Sequence, residues 1–146
     1  MKILTMIAAL GLAVSGPAFG QGAPSPEGAK VYFANLEDGA VVSSPVLIVF
    51  GLSGMGVAPA GTEAENTGHH HLLINRPALG MGEDGADEFM YGLPSDENHI
   101  HFGGGQTEVV LDLAPGTHTL QLVLGDMGHV PHSEPVLSKV ISVTVE

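Results

Sequence analysis

The hydrophobic positions of this chain fall in short runs separated by turns, and helical periodicity is almost absent after residue 20. Gly and Pro recur every few residues, and no window of about eleven residues keeps its apolar side chains at a helical spacing. The stretch TEVVLDL alternates between apolar and acidic positions, which is typical of a strand with one buried face. The predicted strands are, in chain order, KVYFAN (30–35), VLIVFGL (46–52), HHHLLI (69–74), NHIHF (98–102), TEVVLDL (107–113), THTLQLVL (117–124) and SKVISVTV (138–145).

This succession of short strands and turns predicts an all-β fold, an immunoglobulin-like β-sandwich of about seven strands. The connection LAPGTHTL, which leads into the sixth strand, resembles the corner of such sandwiches where an aromatic residue hydrogen-bonds back to the preceding backbone. His118 occupies the place of that aromatic residue. We therefore expect His118 to have a structural role.

The first 20 residues have the pattern of a secretory signal peptide. Lys2 supplies a positive start, an apolar stretch covers residues 3–14, and AFG (18–20) places small residues at the positions that a signal peptidase reads. The apolar stretch is too short to span a bilayer. The predicted organisation is a signal peptide over 1–20, a flexible segment over 21–29 and one β-sandwich domain over 30–146. We accordingly expect a periplasmic or secreted protein without a membrane anchor.

The charge and the absence of cysteine narrow the classes of ligand. The formal net charge is −12, which disfavours nucleic acid and anionic lipid as partners and favours cations. Because the chain has no cysteine, it has no disulfide, and a blue-copper centre is excluded since it needs a thiolate ligand.

Two long segments separate the predicted strands. Residues 53–68 are mostly small, and residues 75–97 contain the acidic piece GEDGADE. Loops of this length in compact domains are usually functional or disordered. The acidic piece lacks the alternating oxygen ligands and the final Glu of an EF-hand, so we interpret it as a solvated loop.

The spacing of the histidines is the most informative feature, and all eight follow residue 20. Residues two apart in a strand point to one face, so His69 and His71 share a face, and His99 and His101 share a face of the next predicted strand. Two such pairs can present several imidazoles to one ion, and imidazole nitrogen suits Zn²⁺ and Cu²⁺. His70 points to the opposite face, so we expect it to be structural or to support the site without binding the ion directly.

A third cluster, GDMGHVPH (125–132), adds His129 and His132 beside Asp126 and Met127. In an immunoglobulin-like topology, one pole of the sandwich receives this segment, the loop of Met55, the start of the third strand and the end of the fourth. The predicted metal ligands are His69, His71, His99, His101, His129 and His132. Asp126 is expected to orient an imidazole, and Met55 and Met127 are candidate thioether ligands, which favours copper over zinc.

Several blocks of the chain carry a family resemblance. GMGVAPAG, NTGHHHLLI, DENHIHFGGGQTE and GTHTLQLVLGDMGHVPH together resemble the bacterial exported domain of unknown function numbered 4399, over about residues 31–145. The resemblance implies an exported or periplasmic protein and no particular activity. This chain departs from the family pattern between Ile74 and Pro94, where GMGEDGADEFMYG looks inserted, so the resemblance assigns no role to the residues there.

The sequence therefore predicts an exported protein that binds copper or zinc at a His-rich pole, for binding, buffering or delivery. One alternative is an envelope interaction module without metal, in which the histidines, Asn98 and Asp126 form a hydrogen-bonded network. Another is a metal-dependent enzyme, in which Glu65, Asp96 or Glu97 would be the base for a metal-bound water.

Overall fold

A computed structural model describes residues 21–146 of the chain. The predicted signal peptide, residues 1–20, lies outside these residues. Among the described residues, no helix is long and apolar enough to cross a membrane. Residues 21–29 contain no strand, and within them Ala23 and Ser25 hydrogen-bond to Asp126 and to the backbone carbonyl of Glu134.

The fold is all-β, as predicted, and each of the predicted strands is present. The strands of the described residues are β1 (Lys30–Phe33), β2 (Ala40–Val42), β3 (Val46–Ser53), β4 (Gly56–Val57), β5 (Thr67–Ile74), β6 (His99–His101), β7 (Glu108–Leu111), β8 (Gly116–Gly125) and β9 (Ile141–Val145). The short strands β2 and β4 fall outside the predicted set. A 3₁₀ helix, Gly85–Phe89, lies in the acidic segment.

The strands form two sheets, an arrangement compatible with an immunoglobulin-like sandwich. The smaller sheet has the order β1-β3-β7 and is antiparallel. The larger sheet has the order β2-β9-β8-β5-β4, and β6 also pairs with β5. In this sheet β5 therefore lies between β8 on one side and β4 and β6 on the other.

Alternation along the strands places the main core between the two sheets. From the smaller sheet, Ile48 and Phe50 are buried, and from β5 of the larger sheet, Leu72 and Ile74 are buried against them. Because each strand contributes every second residue to this core, the residues between them face outward. The sandwich is thus stabilised mainly by aliphatic packing, as expected for a domain without disulfides.

A second, smaller apolar cluster lies on the outer face of the larger sheet. Leu73 of β5 and Val123 of β8 pack there against Leu79 and Leu93, which belong to the segment that we call the cover (residues 75–97). The cover is also fixed by a hydrogen bond from the Leu79 amide to the buried Gln121 side chain, 2.9 Å long. His69 and His71 lie on this outer face, which the cover partly shields.

Candidate metal centre

The two faces of β5 separate the three consecutive histidines. His69, His71 and Leu73 alternate onto the outer face, whereas His70 points inward and its ring lies 5.1 Å from that of Phe50. The inward position of His70 agrees with the prediction from strand alternation. Its Nδ1 donates to the Gln106 carbonyl, 3.2 Å away. His70 is therefore part of the core between the sheets.

The pairing of β6 with β5 decides which of its two histidines approaches the triplet. His101 lies opposite His71, and His99 lies opposite Leu73, one pair further along the strand. The rings of His71 and His101 are 5.0 Å apart. His101 is half-buried, whereas His69 and His71 have no exposed surface.

His129 reaches the same place from a tight turn after β8, residues 126–130. The Asp126 carboxylate organises this turn because its Oδ1 accepts hydrogen bonds from the amides of Gly128 and Val130, at 2.8 and 3.0 Å. Its Oδ2 accepts from the Ala23 amide. His129 has a φ of 68°, a left-handed conformation that His adopts more readily than most residues. Asp126 thus positions His129 through the backbone, and no imidazole hydrogen-bonds to it in the described residues.

These elements bring together His69, His71, His101 and His129, which we call the histidine group. Each offers one ring nitrogen, and these nitrogens all lie within 4.8 Å of one another. The Nε2 atom of His69 is 3.1 Å from Nδ1 of His129 and 3.1 Å from Nε2 of His71. In a tetrahedral site with ordinary metal–nitrogen bonds, neighbouring ligand nitrogens lie about 3.3 Å apart. The spacing of these nitrogens therefore fits the edges of a small coordination polyhedron.

Several buried histidines of this region have one ring nitrogen without a partner. Within the described residues, Nδ1 of His69, Nδ1 of His71 and Nε2 of His101 have no hydrogen-bond partner, and neither do Nε2 of His70, Nε2 of His99 and Nδ1 of His132. Because the Nε2 atoms of His69 and His71 make the contacts inside the histidine group, their unpaired Nδ1 atoms lie on the other edge of each ring and would not contact an ion held there. The evidence for a metal site is therefore the convergence of the ring nitrogens.

The electrostatics of the site favour the neutral, metal-binding form of three of the imidazoles. Burial lowers the pKa of His69 from 6.5 to about 4, with a further contribution from His101 and His129. Burial and the neighbouring imidazoles lower the pKa of His71 even further. The pKa of His101 is lowered by burial and by His129. At neutral pH these three imidazoles can therefore bind a cation without first losing a proton.

Two glycines leave room for the rings. A Cβ atom on Gly125 would lie 2.9 Å from Nε2 of His71, and a Cβ on Gly103 would lie 2.3 Å from Cε1 of His101. Side chains at either position would displace a ring of the histidine group. This gives the glycine-rich stretch after β6 a steric role beside the site.

His99 is close to the histidine group, but the structure does not include it there. Its ring lies 5.3 Å from that of His71. Nδ1 of His99 accepts a hydrogen bond from Arg76, 3.1 Å away, and Arg76 is also paired with Glu88 of the cover. Burial and then Arg76 lower the pKa of His99 to about 4. Since a guanidinium always donates, the proton of neutral His99 is on Nε2, which does not favour metal coordination.

The other predicted site residues lie outside the histidine group. Buried His132 donates from Nε2 to the Thr67 carbonyl at 3.3 Å. Met55 packs against the core between the sheets, and Met127 is 46% exposed. At the opposite end of β8, His118 donates from Nε2 to the Ala114 carbonyl at 2.8 Å, the contact expected of a corner residue. The sequence thus predicted that histidines meet at one pole of the fold. The histidine group, however, contains fewer residues than the predicted set of ligands.

Comparison with known proteins identifies the family and no activity. The domain of unknown function DUF4399 matches residues 48–146, about two-thirds of the chain, and the chain belongs to this family. This confirms the resemblance carried by the four sequence blocks. No curated protein and no solved structure matches the chain. The function must therefore be argued from the histidine group.

Proposed function

We propose that this protein is an exported metal-binding protein that holds one divalent transition-metal ion, copper first and zinc second, in the histidine group. The observation that supports it is the convergence of four imidazoles, with ligand nitrogens within 4.8 Å of one another. Imidazole is a common ligand of both ions, and divalent copper binds such sites more tightly than zinc. The negative charge of the chain also favours the approach of a cation.

The positions of the methionines bear on the oxidation state of copper. Thioether ligands select Cu(I), but Met55 packs in the core and Met127 points largely to solvent. An all-imidazole ligand set suits Cu²⁺ or Zn²⁺ better. We therefore favour a divalent ion bound by imidazoles, in place of an ion bound by the thioethers of Met55 and Met127.

The role that we favour is binding, buffering or delivery of the ion. Asp126 is the carboxylate nearest in sequence to His129, and its oxygens already accept three backbone hydrogen bonds, so it is poorly placed to act as a base. Export is proposed from the signal-like residues 1–20 and places the protein where such ions are acquired or passed on.

The test is elemental analysis of the untagged protein, followed by competition titrations with Cu²⁺, Zn²⁺ and Cu(I). We expect one equivalent of Cu²⁺ or Zn²⁺ per chain. His101→Asn should weaken binding strongly, whereas His132→Asn, a histidine outside the group, should not. Affinities weaker than about 10⁻⁵ M for all three ions would contradict the proposal, because a preformed multi-histidine site should bind much more tightly.

A structural histidine network remains the second candidate, favoured by the two 3.1 Å contacts between ring nitrogens. In that case the rings stabilise the pole by hydrogen bonding, and the surface serves an interaction without metal. The two candidates differ in thermal unfolding, since an ion that binds only the folded chain raises the midpoint. A midpoint that is unmoved by excess Zn²⁺ and Cu²⁺ would favour the network.

A further inference from the structure

The loop after β4 contains a short segment that hydrogen-bonds to the elements carrying His101 and His129, and we call residues 58–61 the strap. Ala58 begins it, with its amide donating to the Gly68 carbonyl at the start of β5. The next two amide contacts are made by adjacent residues. The Ala60 amide donates to the Gly103 carbonyl, and the Gly61 amide donates to the Met127 carbonyl, both at 2.9 Å.

The two acceptors lie two residues from the two half-buried members of the histidine group. Gly103 follows His101 at the end of β6, and Met127 precedes His129 in the 126–130 turn. These two elements flank β5 on opposite sides. Among the described hydrogen bonds, none joins residues 99–105 directly to residues 126–132. The strap is therefore a short backbone link between them. The cover is a longer one, because the Leu93 amide donates to the His129 carbonyl and Asp96 and His99 exchange backbone hydrogen bonds.

The rings carried by these two elements form the closest pair in the group. The centroids of His101 and His129 are 4.5 Å apart, whereas the other ring pairs of the group are separated by 4.9 to 6.1 Å. His69 and His71 are fixed by a central strand and complete burial. His101 and His129 have less packing around them, so their separation depends more on what ties their backbones together.

We propose that the strap is a positioning element that sets the separation of His101 and His129 and thereby the metal preference of the site. This inference rests on the proposed function. With the strap in place, four nitrogens are held at a spacing suited to a compact, near-tetrahedral ion. With the strap released, the two outer imidazoles can move apart towards the tetragonal geometry that Cu²⁺ prefers and Zn²⁺ does not require. Releasing the strap should therefore weaken Zn²⁺ binding more than Cu²⁺ binding.

Gly61 offers a sharp test because the chain contains a matched control. Gly61 and Gly39 have φ values of +79° and +82°, and a Cβ on either would meet no atom within 4 Å. Each also donates its amide, Gly61 to Met127 and Gly39 to Ser142. A valine at either position imposes the same kind of backbone strain with no steric clash. Only Gly61 belongs to the strap.

The experiment compares Gly61→Val with Gly39→Val in the full chain, with Zn²⁺ and Cu²⁺ as the probes. We expect Gly61→Val to weaken Zn²⁺ binding roughly tenfold, which is the usual cost of losing a group that holds a ligand in place. Cu²⁺ binding should weaken less. Its Cu²⁺ electron paramagnetic resonance spectrum should differ from that of the unaltered chain. Gly39→Val should leave both unchanged. Gly61→Asn should restore them, since Asn tolerates a left-handed backbone.

The outcomes separate the two proposals. If the unaltered chain binds the ions and Gly61→Val matches Gly39→Val in affinity ratio and spectrum, the inference about the strap is overturned and the proposed function stands. If the unaltered chain binds no ion, both are overturned. Urea unfolding of the metal-free variants checks that they fold. The pair Gly61→Ala and Gly39→Ala repeats the comparison with less bulk, with the same expectations, if a valine variant does not fold.

Discussion

The two ends of β8 show how one residue type serves two purposes. At the start of the strand, both ring nitrogens of His118 have partners, because Nε2 donates to Ala114 and Nδ1 accepts from the Asn75 side chain at 2.9 Å. At the other end, beyond Gly125, the rings of the histidine group contact one another and leave buried nitrogens without partners in the described residues. The difference teaches that the convergence of ring nitrogens marks the candidate ligands. Burial or an unpaired nitrogen is not enough, because His70, His99 and His132 are also buried with one ring nitrogen unpaired in the described residues.

The largest expected effect comes from exchanging one histidine at each end. His71→Leu removes a proposed ligand at a place beside Leu73 and Val123, where an aliphatic side chain can pack. It should weaken Zn²⁺ binding by roughly 100-fold or more, because losing a direct ligand costs more than losing a residue that only supports one. His118→Leu should leave the affinity unchanged and lower the free energy of unfolding by about 1–2 kcal/mol through two lost hydrogen bonds. Competition titration and urea unfolding measure the two quantities. Equal metal affinities in the two variants would remove the distinction.

The second effect concerns the turn that carries His129. Asp126→Ala removes three hydrogen bonds to backbone amides, so we expect a loss of about 2–3 kcal/mol in the free energy of unfolding. Metal affinity should fall as well, because His129 is no longer held in place. Asp38→Ala is the control, since that carboxylate accepts a single amide bond from Ser142 far from the histidine group. Retention of full metal affinity in Asp126→Ala would show that the turn holds without its carboxylate.

The third effect is the acid sensitivity of the metal-free protein. Folding lowers the pKa of His69 from 6.5 to about 4, so between these pH values the unfolded chain binds more protons than the folded chain. The free energy of unfolding should therefore fall as the pH decreases from about 6.5 towards 4, and this contribution should be constant above about pH 7. Urea unfolding at pH 7.5, 6 and 5 measures the slope. His69→Phe should have a shallower slope, and an unchanged slope would contradict the assignment to this imidazole.

The smallest effect is expected at His99, the ring next to the histidine group. Its Nδ1 is engaged by Arg76, so we expect His99→Phe to change Zn²⁺ affinity by less than about threefold, well below the cost of losing a supporting residue. His101→Phe, on the same strand and face, is the comparison and should be far more damaging. Similar losses in the two variants would mean that His99 is a ligand after all.

Much of the fold and part of the site could be predicted from hydrophobic periodicity. Alternation in β5 predicted correctly that His69 and His71 face away from His70. The corner contact of His118 followed from the spacing LAPGTHTL. These features are local, so the residues themselves carry the information.

What could not be predicted depends on register and on irregular backbone. His99 and His101 are equivalent by alternation, and only the pairing with β5 places His101 opposite His71. His129 belongs to the histidine group and His132 does not, because His129 lies in a left-handed turn that the Asp126 side chain shapes. The link from the strap to Gly103 and Met127 is made by backbone amides, which leave no signature in side-chain identity.

The pairing of β5 also limits how the length of this chain can vary. Because neighbouring residues of the strand face opposite sides, inserting or deleting one residue within Thr67–Ile74 would exchange the two faces. His69 and His71 would then be driven against Phe50 in the core, and His70 alone would reach the outer surface. The cover, which pairs with no strand over most of its length, can gain or lose residues without this penalty. Length variation among homologues is therefore expected in the cover and not in the histidine triplet.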